Sequence, residues 1–448
     1  MAQMPSGNFE ILDQLKFDSN KYNELIKVLL KNRRVNPSEF KDFLNPDLSK
    51  VTAKNVGINL LALEKSMKRI KDAIENKEKI VVFGDYDVDG ICGSAILWET
   101  LNDLGADVMP YIPNRFEEGY GLSKEAISNL IHSTSSGQIS NVSLIITIDN
   151  GIVAGSGVDY AKEQGIDVII TDHHVPGKIL PSAYSIVHTT KLCGAGVAYL
   201  LAQNLKPKTS NLKPKDDSHL ELVCLATIAD LVPLTGANRI LVSLGLKKLR
   251  ETKRPGLIEL FKEAEIEPSQ IHTYEIGHII APRLNAMGRM EDAMDSLRLL
   301  CTKNPKRAKE LAKKLSETNR MRQNLTLDTF FHAKSQVDRK IKNKLLFVYH
   351  ETYQQGIIGL VAGRLTEEYY LPSIVISRGK LLSKASARSV SGFNIIEFIR
   401  SASEFLVDAG GHPMAAGFTF ETKNLNKIEK KFQELAKKAI KKELLLRK

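Results

Sequence analysis

Between Gly84 and Gly90 the chain reads GDYDVDG, which sets Asp85, Asp87 and Asp89 at alternate positions. Carboxylates so close raise one another's pKa and cannot all stay ionised without positive charge nearby; a divalent cation is the usual source. The spacing matches the opening of an EF-hand calcium loop. That loop needs a bidentate Glu at its twelfth position, which here is Ile96, and a helix before it, where this chain has the strand-like KIVVF. A solvated acidic turn is the alternative that this stretch alone leaves open.

The apolar run at residues 80–83 predicts a buried strand, so the aspartates fall where it leaves the sheet, the edge at which open α/β sheets bind ligands. The rhythm repeats through a helix after Gly90, DVMPYI, SKEAISNLI, SLIITI, a helix near residues 158–164 and DVIIT, which predicts a parallel sheet with helices on both faces. LIITIDNG brings Asp149 to a strand end, and IDVIITDHH brings Asp172, His173 and His174 to another. Acidic strand ends in one parallel sheet share an edge and therefore a site. ELVCLATIADLVPL predicts an apolar helix ending at Asp230, for which a simple cap or turn role stays open. Asp87, Asp89, Asp149, His173 and Asp230 make an oxygen-rich set with one imidazole, suited to Mn²⁺ or Mg²⁺ rather than zinc or copper. They are too many for one ion. Two metals about 3.5 to 4 Å apart lower the pKa of a bridging water and stabilise both oxygens exchanged at phosphorus, so phosphoester hydrolysis is implied.

The 448 residues suffice for two or three domains, and the net charge of +11 points to a polyanionic partner, nucleic acid being the commonest. No apolar stretch approaches the ~20 residues of a membrane span, and MAQMPSGNFE lacks a signal peptide's apolar core, so a cytoplasmic protein without a membrane partner is expected. Cys92, Cys193, Cys224 and Cys301 are far apart without CxxC spacing, which predicts reduced thiols. The fold class expected is α/β. Residues 1–75 read as a helical extension packed on the next domain, 76–235 as a parallel-sheet domain, 236–337 as a helical connector and 338–448 as a smaller α/β domain. The segment from Lys206 to His219 reads as a surface loop. APRLNAMGRM interrupts the helical pattern of the connector, and a long helix near residues 306–334 joins two domains. The last domain combines LLFVYH, a helix over residues 356–369, SIVIS, a strand over 381–388, a helix over 395–406 and the glycine-rich GGHPMAAGF. Its closing helix carries a core stripe of Leu425, Ile428, Phe432, Leu435 and Ala439.

GDYDVDG, TIDNG, TDHH and ATIADLVPL, in that order, resemble the motifs of the DHH phosphoesterase superfamily, and GGHPMAAGF resembles the signature of its companion DHHA1 domain. LLKNRRVNPSEFKDFLNPDL, RFEEGYGLS, CGAGVAYLL, APRLNAMGRM and QQGIIGLVAGRL narrow the resemblance to the RecJ-like family. The resemblance implies that Asp87 and Asp149 hold one metal and that Asp89, Asp149, His173 and Asp230 hold the other, with Asp149 as the bridge. Phe83 stands where many superfamily members have a histidine, and Asp85 is the candidate replacement. His174 would meet the scissile phosphate as charge stabiliser or proton donor, while Asp172 orients the loop. Arg115, Ser386, Arg388 and a loop of Gly410, Gly411 and His412 would hold the strand and its 5′ phosphate. For the two glycines a turn needing positive φ is the alternative. For Arg283, Asn285 and Arg289, strand binding and an interdomain hydrogen-bond network are both open.

The activity implied is a two-metal exonuclease degrading single-stranded DNA, or RNA, 5′→3′ to mononucleotides in replication, repair and recombination. A replisome scaffold bound to GINS or replicative-helicase components, or a small-nucleotide phosphodiesterase, is the alternative. Bacterial RecJ usually continues into an oligonucleotide-binding barrel, whereas this chain stops soon after the DHHA1 motif. It therefore resembles the shorter archaeal RecJ-like proteins, including the GINS-associated nuclease. Val187-His188-Thr189 stands where the family often has Asn-Pro, a departure the sequence leaves unexplained.

Overall fold

Five short apolar segments build the first sheet: β1 (Lys79–Gly84), β2 (Val108–Tyr111), β3 (Val142–Ile148), β4 (Asp167–Asp172) and β5 (Ser185–His188), in the order β2-β1-β3-β4-β5. The computed structural model describes residues 22–115, 117–119, 121–132, 141–206, 218–337 and 343–445. All pairings in this sheet are parallel, and the register sets Gly84 beside Ile148 and Ile148 beside Thr171. Asp85, Asp149 and Asp172, each one residue further on, therefore leave the sheet at one level of one edge. On one face Val81, Phe83, Ile145, Val168 and Ile170 pack against Ala126, Ile127 and Leu130 of helix Lys124–His132 and Val158 and Ala161 of helix Gly155–Glu163. On the other, helices Val88–Asp103 and Gly194–Leu205 pack on each other and on the strands.

The described residues form two units, one of residues up to Ala281 with Met294–Ala312 and the other of Pro282–Ala293 with the residues from Lys313 onward. In the first, the expected N-terminal extension is helical from Tyr22 onward, and its helix Leu60–Glu75 packs on β5. Arg69 of that helix pairs with Asp167 at 2.6 Å and Glu78 at 2.7 Å. Residues 9–21 of that extension and residues 207–217 of the expected surface loop lie outside the described residues. Among the described residues no helix is long and apolar enough to cross a membrane. The four cysteines are free thiols, and Cys92, Cys193 and Cys224 are buried.

The second unit carries β6 (Leu346–His350), β7 (Ser373–Ser377), β8 (Leu382–Arg388), β9 (Asp408–His412) and β10 (Ala415–Glu421), ordered β6-β7-β8-β10-β9. Only β6 and β7 run parallel. Phe347, Ile374, Ile376, Phe418 and Phe420 cover the closing helix Leu425–Ala439, while Leu346, Val348 and Val375 cover helix Ile358–Tyr369 and the end of helix Pro305–Val337.

Five expectations need correction. Strand β5 was not expected, because four residues are too few to show a period. The helix after β1 begins at Val88 rather than after Gly90, since Asp87 caps it. APRLNAMGRM does not interrupt the helical pattern but is itself helix Ala281–Met290, entered through a π-helical turn at Ile276–Ile280. Pro282 has no N–H to donate, and the wider turn before it absorbs that loss. Gly410, Gly411 and His412 lie in the edge strand β9, paired antiparallel with β10, and not in a loop. In the closing helix Ala436 is buried and Ala439 is exposed, as a period of 3.6 from Leu425, Ile428 and Phe432 requires.

Candidate metal centre

Asp85 leaves β1 buried, its N–H donating to Ile148 O at 3.2 Å. Asp87 caps helix Val88–Asp103, accepting from the N–H groups of Asp89 at 2.9 Å and Gly90 at 3.2 Å. Asp89 points back from the first turn and accepts from Gly194 N at 2.6 Å and Ala195 N at 2.7 Å, the opening of helix Gly194–Leu205. Two helix N-termini thus converge on these carboxylates and favour negative charge there. Gly194 is required by space: a Cβ there would lie 2.6 Å from Asp149 Cβ and 2.7 Å from its Oδ1.

Asp149 adopts a left-handed backbone, φ 63°, uncommon for a non-glycine residue and a form of strain concentrated at functional sites. Its N–H donates to Thr171 O at 3.0 Å. Thr147 Oγ1 donates to Asn150 O at 2.7 Å and Asn150 Nδ2 to Ile148 O at 2.9 Å, closing the turn. From the end of β4, His173 Nε2 reaches 3.1 Å from Asp149 Oδ1, 3.6 Å from Asp89 Oδ2 and 3.6 Å from Asp230 Oδ2. Asp230 caps the C-terminal end of helix Leu220–Ala229.

Asp172 turns away from this cluster. Its Oδ1 accepts from His173 N, His174 N and, at 2.8 Å, His174 Nδ1, while Oδ2 accepts from Ile152 N at 2.9 Å. His188 Nε2, at the end of β5, donates to His174 O at 2.7 Å. The unexplained Val187-His188-Thr189 segment thus ties β5 to the histidine loop.

Burial raises the carboxyl pKa values of Asp85, Asp89, Asp149 and Asp230. Asp85 and Asp149 stand well above the ordinary range, burial being helped by Asp87 at the first and Asp89 at the second. Asp89 is pushed up to about 6 and Asp230 to about 8, by burial and then by neighbouring aspartates. His173 falls to about 4 through burial and the nearby His174. Burial also lowers His174, but the Asp172 hydrogen bond and charge outweigh it and bring it to about 9. A bound cation reverses this logic, since it favours ionised carboxylates and a neutral ligating imidazole. The donors fit such an ion. Asp149 Oδ1 is buried and, among the described residues, receives no aligned hydrogen bond. Ligand atoms lie within 4.8 Å of one another in the sets Asp85, Asp87, Asp149; Asp89, His173, Asp230; and Asp149, His173, His174.

The other candidates fall into two groups. In the first unit, Arg115 lies over the Tyr86 ring at 4.9 Å, a cation–π contact that steadies its guanidinium. In the second, Arg388 Nη1 donates to Ser386 Oγ at 3.1 Å and Ala387 O at 2.9 Å. A Cβ on Gly359 would lie 2.9 Å from both Ser386 Oγ and Arg388 Nη2, so a glycine in the first turn of helix Ile358–Tyr369 makes room for this pair. Arg283, Asn285 and Arg289 belong to the same unit, and Arg289 Nη1 reaches Gly356 O at 3.5 Å. On the exposed edge strand Gly411 has φ 140°, and a Cβ there would meet Ala415 O at 2.4 Å; Gly410 is not so constrained. Sequence reasoning did not single out Tyr86, Asn150, Gly194 or Gly359, and it left His188 unexplained. Their roles are hydrogen bonds and clearances set by tertiary packing, though four of the five sit inside or beside motifs already noted.

Residues 79–227 match the DHH family, N-terminal domain, and residues 342–438 match the DHHA1 domain. The single-stranded-DNA-specific exonuclease RecJ of Bacillus subtilis is 38% identical over 386 residues, 84% of this chain and 48% of that protein. The chain therefore spans about half the length of that relative. RecJ of Escherichia coli is 32% identical over 406 residues, 84% of this chain and 69% of that protein. A crystal structure of exonuclease RecJ bound to manganese superposes with a TM-score of 0.73 at 32% identity, over 84% of this chain and 94% of that one. RecJ from Thermus thermophilus in complex with Mn²⁺ gives 0.78 at 29% identity, over 92% and 59% of the two chains.

Proposed function

Because the chain belongs to the RecJ family of DHH phosphoesterases, we propose that it is a cytoplasmic, metal-dependent exonuclease that degrades single-stranded DNA 5′→3′ to mononucleotides. The buried Asp149 Oδ1, lacking an aligned hydrogen bond where the ligand sets meet, is the observation that carries this reading. Asp85, Asp87 and Asp149 would hold one divalent ion, Mn²⁺ or Mg²⁺, and Asp89, Asp149, His173 and Asp230 would hold a second. When bound, such a pair supplies a nucleophilic water near neutral pH and neutralises charge on the phosphate oxygens.

The chain's own groups do the rest. The two N–H groups of Gly194 and Ala195 orient the Asp89 carboxylate, and the strained turn fixes Asp149. Asp172 holds a proton on His174 Nδ1, which leaves the Nε2 edge of the ring to meet the phosphate as a charge-assisted donor. Arg115 in the first unit, and Ser386 with Arg388 in the second, are each candidates for the grip on the 5′ phosphate that sets polarity, which a pair of metals alone does not distinguish. Arg283, Asn285, Arg289 and the exposed strand holding Gly410, Gly411 and His412 contact the strand. A scaffold bound to GINS or helicase components has no use for five converging ligands, and the family-specific flanks argue against a small-nucleotide hydrolase.

Digestion of 5′- and 3′-end-labelled DNA and RNA strands with Mn²⁺, Mg²⁺ or EDTA tests the reading. It predicts mononucleotides released from the 5′ end of DNA and none in EDTA. Release from the 3′ end, or cleavage in EDTA, contradicts it.

A further inference from the structure

Tyr274 and His278 lie on the surface where helix Thr273–Glu275 runs into the π-helical turn Ile276–Ile280, and their rings stack with centroids 4.5 Å apart and planes 14° from parallel. His278 Nδ1 donates to Tyr274 O at 3.2 Å, which pins the imidazole in the stack. A stack uses one face of each ring. Tyr274 is nevertheless 61% exposed, so its other face is open to solvent. Two rings already fixed in parallel can be extended by a third flat ring without further ordering of the protein. The stack belongs to the unit that holds the metal centre. Gly277 packs on helix Leu220–Ala229: a Cβ built on it would lie 3.9 Å from Ile228 Cγ2. Leu231, which follows Asp230, donates its N–H to Ile228 O at 3.3 Å, is exposed and has a left-handed backbone, φ 58°. Chain and packing thus connect Asp230 to the stack through Leu231, Ile228 and Gly277. Positive charge stands close to its other end. Arg250 donates through Nε at 3.0 Å and Nη2 at 2.8 Å to Ile271 O and lies 3.1 Å from His272 Nδ1, two residues before Tyr274. Lys247 and Lys248 share the last turn of its helix, while the acid of the segment, Glu275, is turned back to accept from His272 N at 2.8 Å.

We propose that the Tyr274–His278 stack is a platform for a nucleobase of the substrate strand, set beside the metal centre on the same unit. Every base presents a π face, so the contact is indifferent to sequence, and the cations at the end of helix Gly236–Arg250 favour the phosphates attached to that base. The inference rests on the strand-degrading function proposed above. Unlike a grip on the 5′ phosphate, this contact is indifferent to the group at the 5′ end, so it adds affinity for the strand without adding polarity.

The test is fluorescence anisotropy of labelled oligothymidylate and of an abasic strand of equal length, in an Asp149→Ala background so that neither is consumed. Tyr274→Leu, which keeps apolar bulk but no ring, weakens oligothymidylate binding about five- to a hundredfold, and Tyr274→Phe keeps the parent affinity. On the abasic strand Tyr274→Leu binds like the parent. The slope of log affinity against log salt stays at the parent value, because no charge has been removed. The Tm of Tyr274→Leu stays there as well, since the ring is largely exposed. Unchanged affinity for oligothymidylate overturns the proposal, as does an equal loss on both strands or a loss that follows a fall in Tm. A parent dimer in sedimentation that Tyr274→Leu dissociates, with DNA affinity unchanged, makes the stack an interface between copies of the chain and also overturns it. If the parent binds neither strand, the proposed function fails and this inference with it; if parent and variants bind both strands alike, the platform alone fails.

Discussion

Replacing Gly194 by alanine adds one methyl group at the point where the centre has no room for it. The new Cβ would lie 2.6 Å from Asp149 Cβ, 2.7 Å from its Oδ1 and 2.8 Å from its Cγ. Carbon atoms pack at about 3.5 Å or more, so Asp149 or the start of helix Gly194–Leu205 must move by nearly an ångström. That helix also supplies the two N–H groups that hold Asp89, so both carboxylates shift together. Overpacking of this kind costs about 1–3 kcal/mol of stability, which a protein of this size tolerates. A displacement near 1 Å at a reacting centre costs about a hundredfold in rate, and metal ligands tolerate only about 0.2 Å. Gly194→Ala is therefore expected to fold, to bind Mn²⁺ more weakly in calorimetric titration, and to lose about two orders of magnitude in kcat/KM on a 5′-phosphorylated strand. Gly363→Ala is the control: nothing lies within 4 Å of its added Cβ, and alanine in a helix interior stabilises by about 0.5–1 kcal/mol. A Gly194→Ala protein with normal metal affinity and activity would refute the packing argument.

His174→Ala should lower kcat more than it raises KM, because the donor acts chiefly in the transition state; loss of bound Mn²⁺ instead would make His174 a ligand. Arg388→Ala and Arg115→Ala should each weaken use of a 5′-phosphorylated strand about ten- to a hundredfold while affecting a 5′-hydroxyl strand far less. Equal losses on both strands would reduce these arginines to general contacts. The Arg254 fork grips Glu99 at 2.7 and 2.8 Å. Burial alone would raise the Glu99 pKa, but Arg254 and then His219 outweigh it and take it from 4.5 to about 2. A depressed carboxyl stabilises the fold above its unfolded pKa and stops doing so as pH falls through the folded one, so Glu99→Gln should cost about 3 kcal/mol at pH 7. That gap to the parent should shrink between pH 4.5 and 2 in urea unfolding; a gap independent of pH contradicts it.

The first sheet and its acidic edge were legible because each strand is a short apolar run followed at once by its polar residue. Residues 80–83 before Asp85 and LIITI before Asp149 left little freedom in where those side chains emerge. Proline and glycine misled the reading elsewhere. Pro282 and Gly288 made a helix look like a break, and Gly410 and Gly411 made an edge strand look like a loop. What stayed hidden depends on contacts between distant parts of the chain. The Gly194 N–H reaches Asp89 across 105 positions, and Arg254 reaches Glu99 across 155.

The central claim, that Asp149 joins two ions in one hydrolytic centre, is tested most directly by Asp149→Ala. Calorimetric Mn²⁺ titration and digestion of an end-labelled strand are run beside the parent chain. Two ions per chain are expected in the parent, with weakened uptake at both positions in the variant, abolished cleavage and largely retained strand binding, since basic groups elsewhere carry the strand. Appreciable nuclease activity in Asp149→Ala would contradict it.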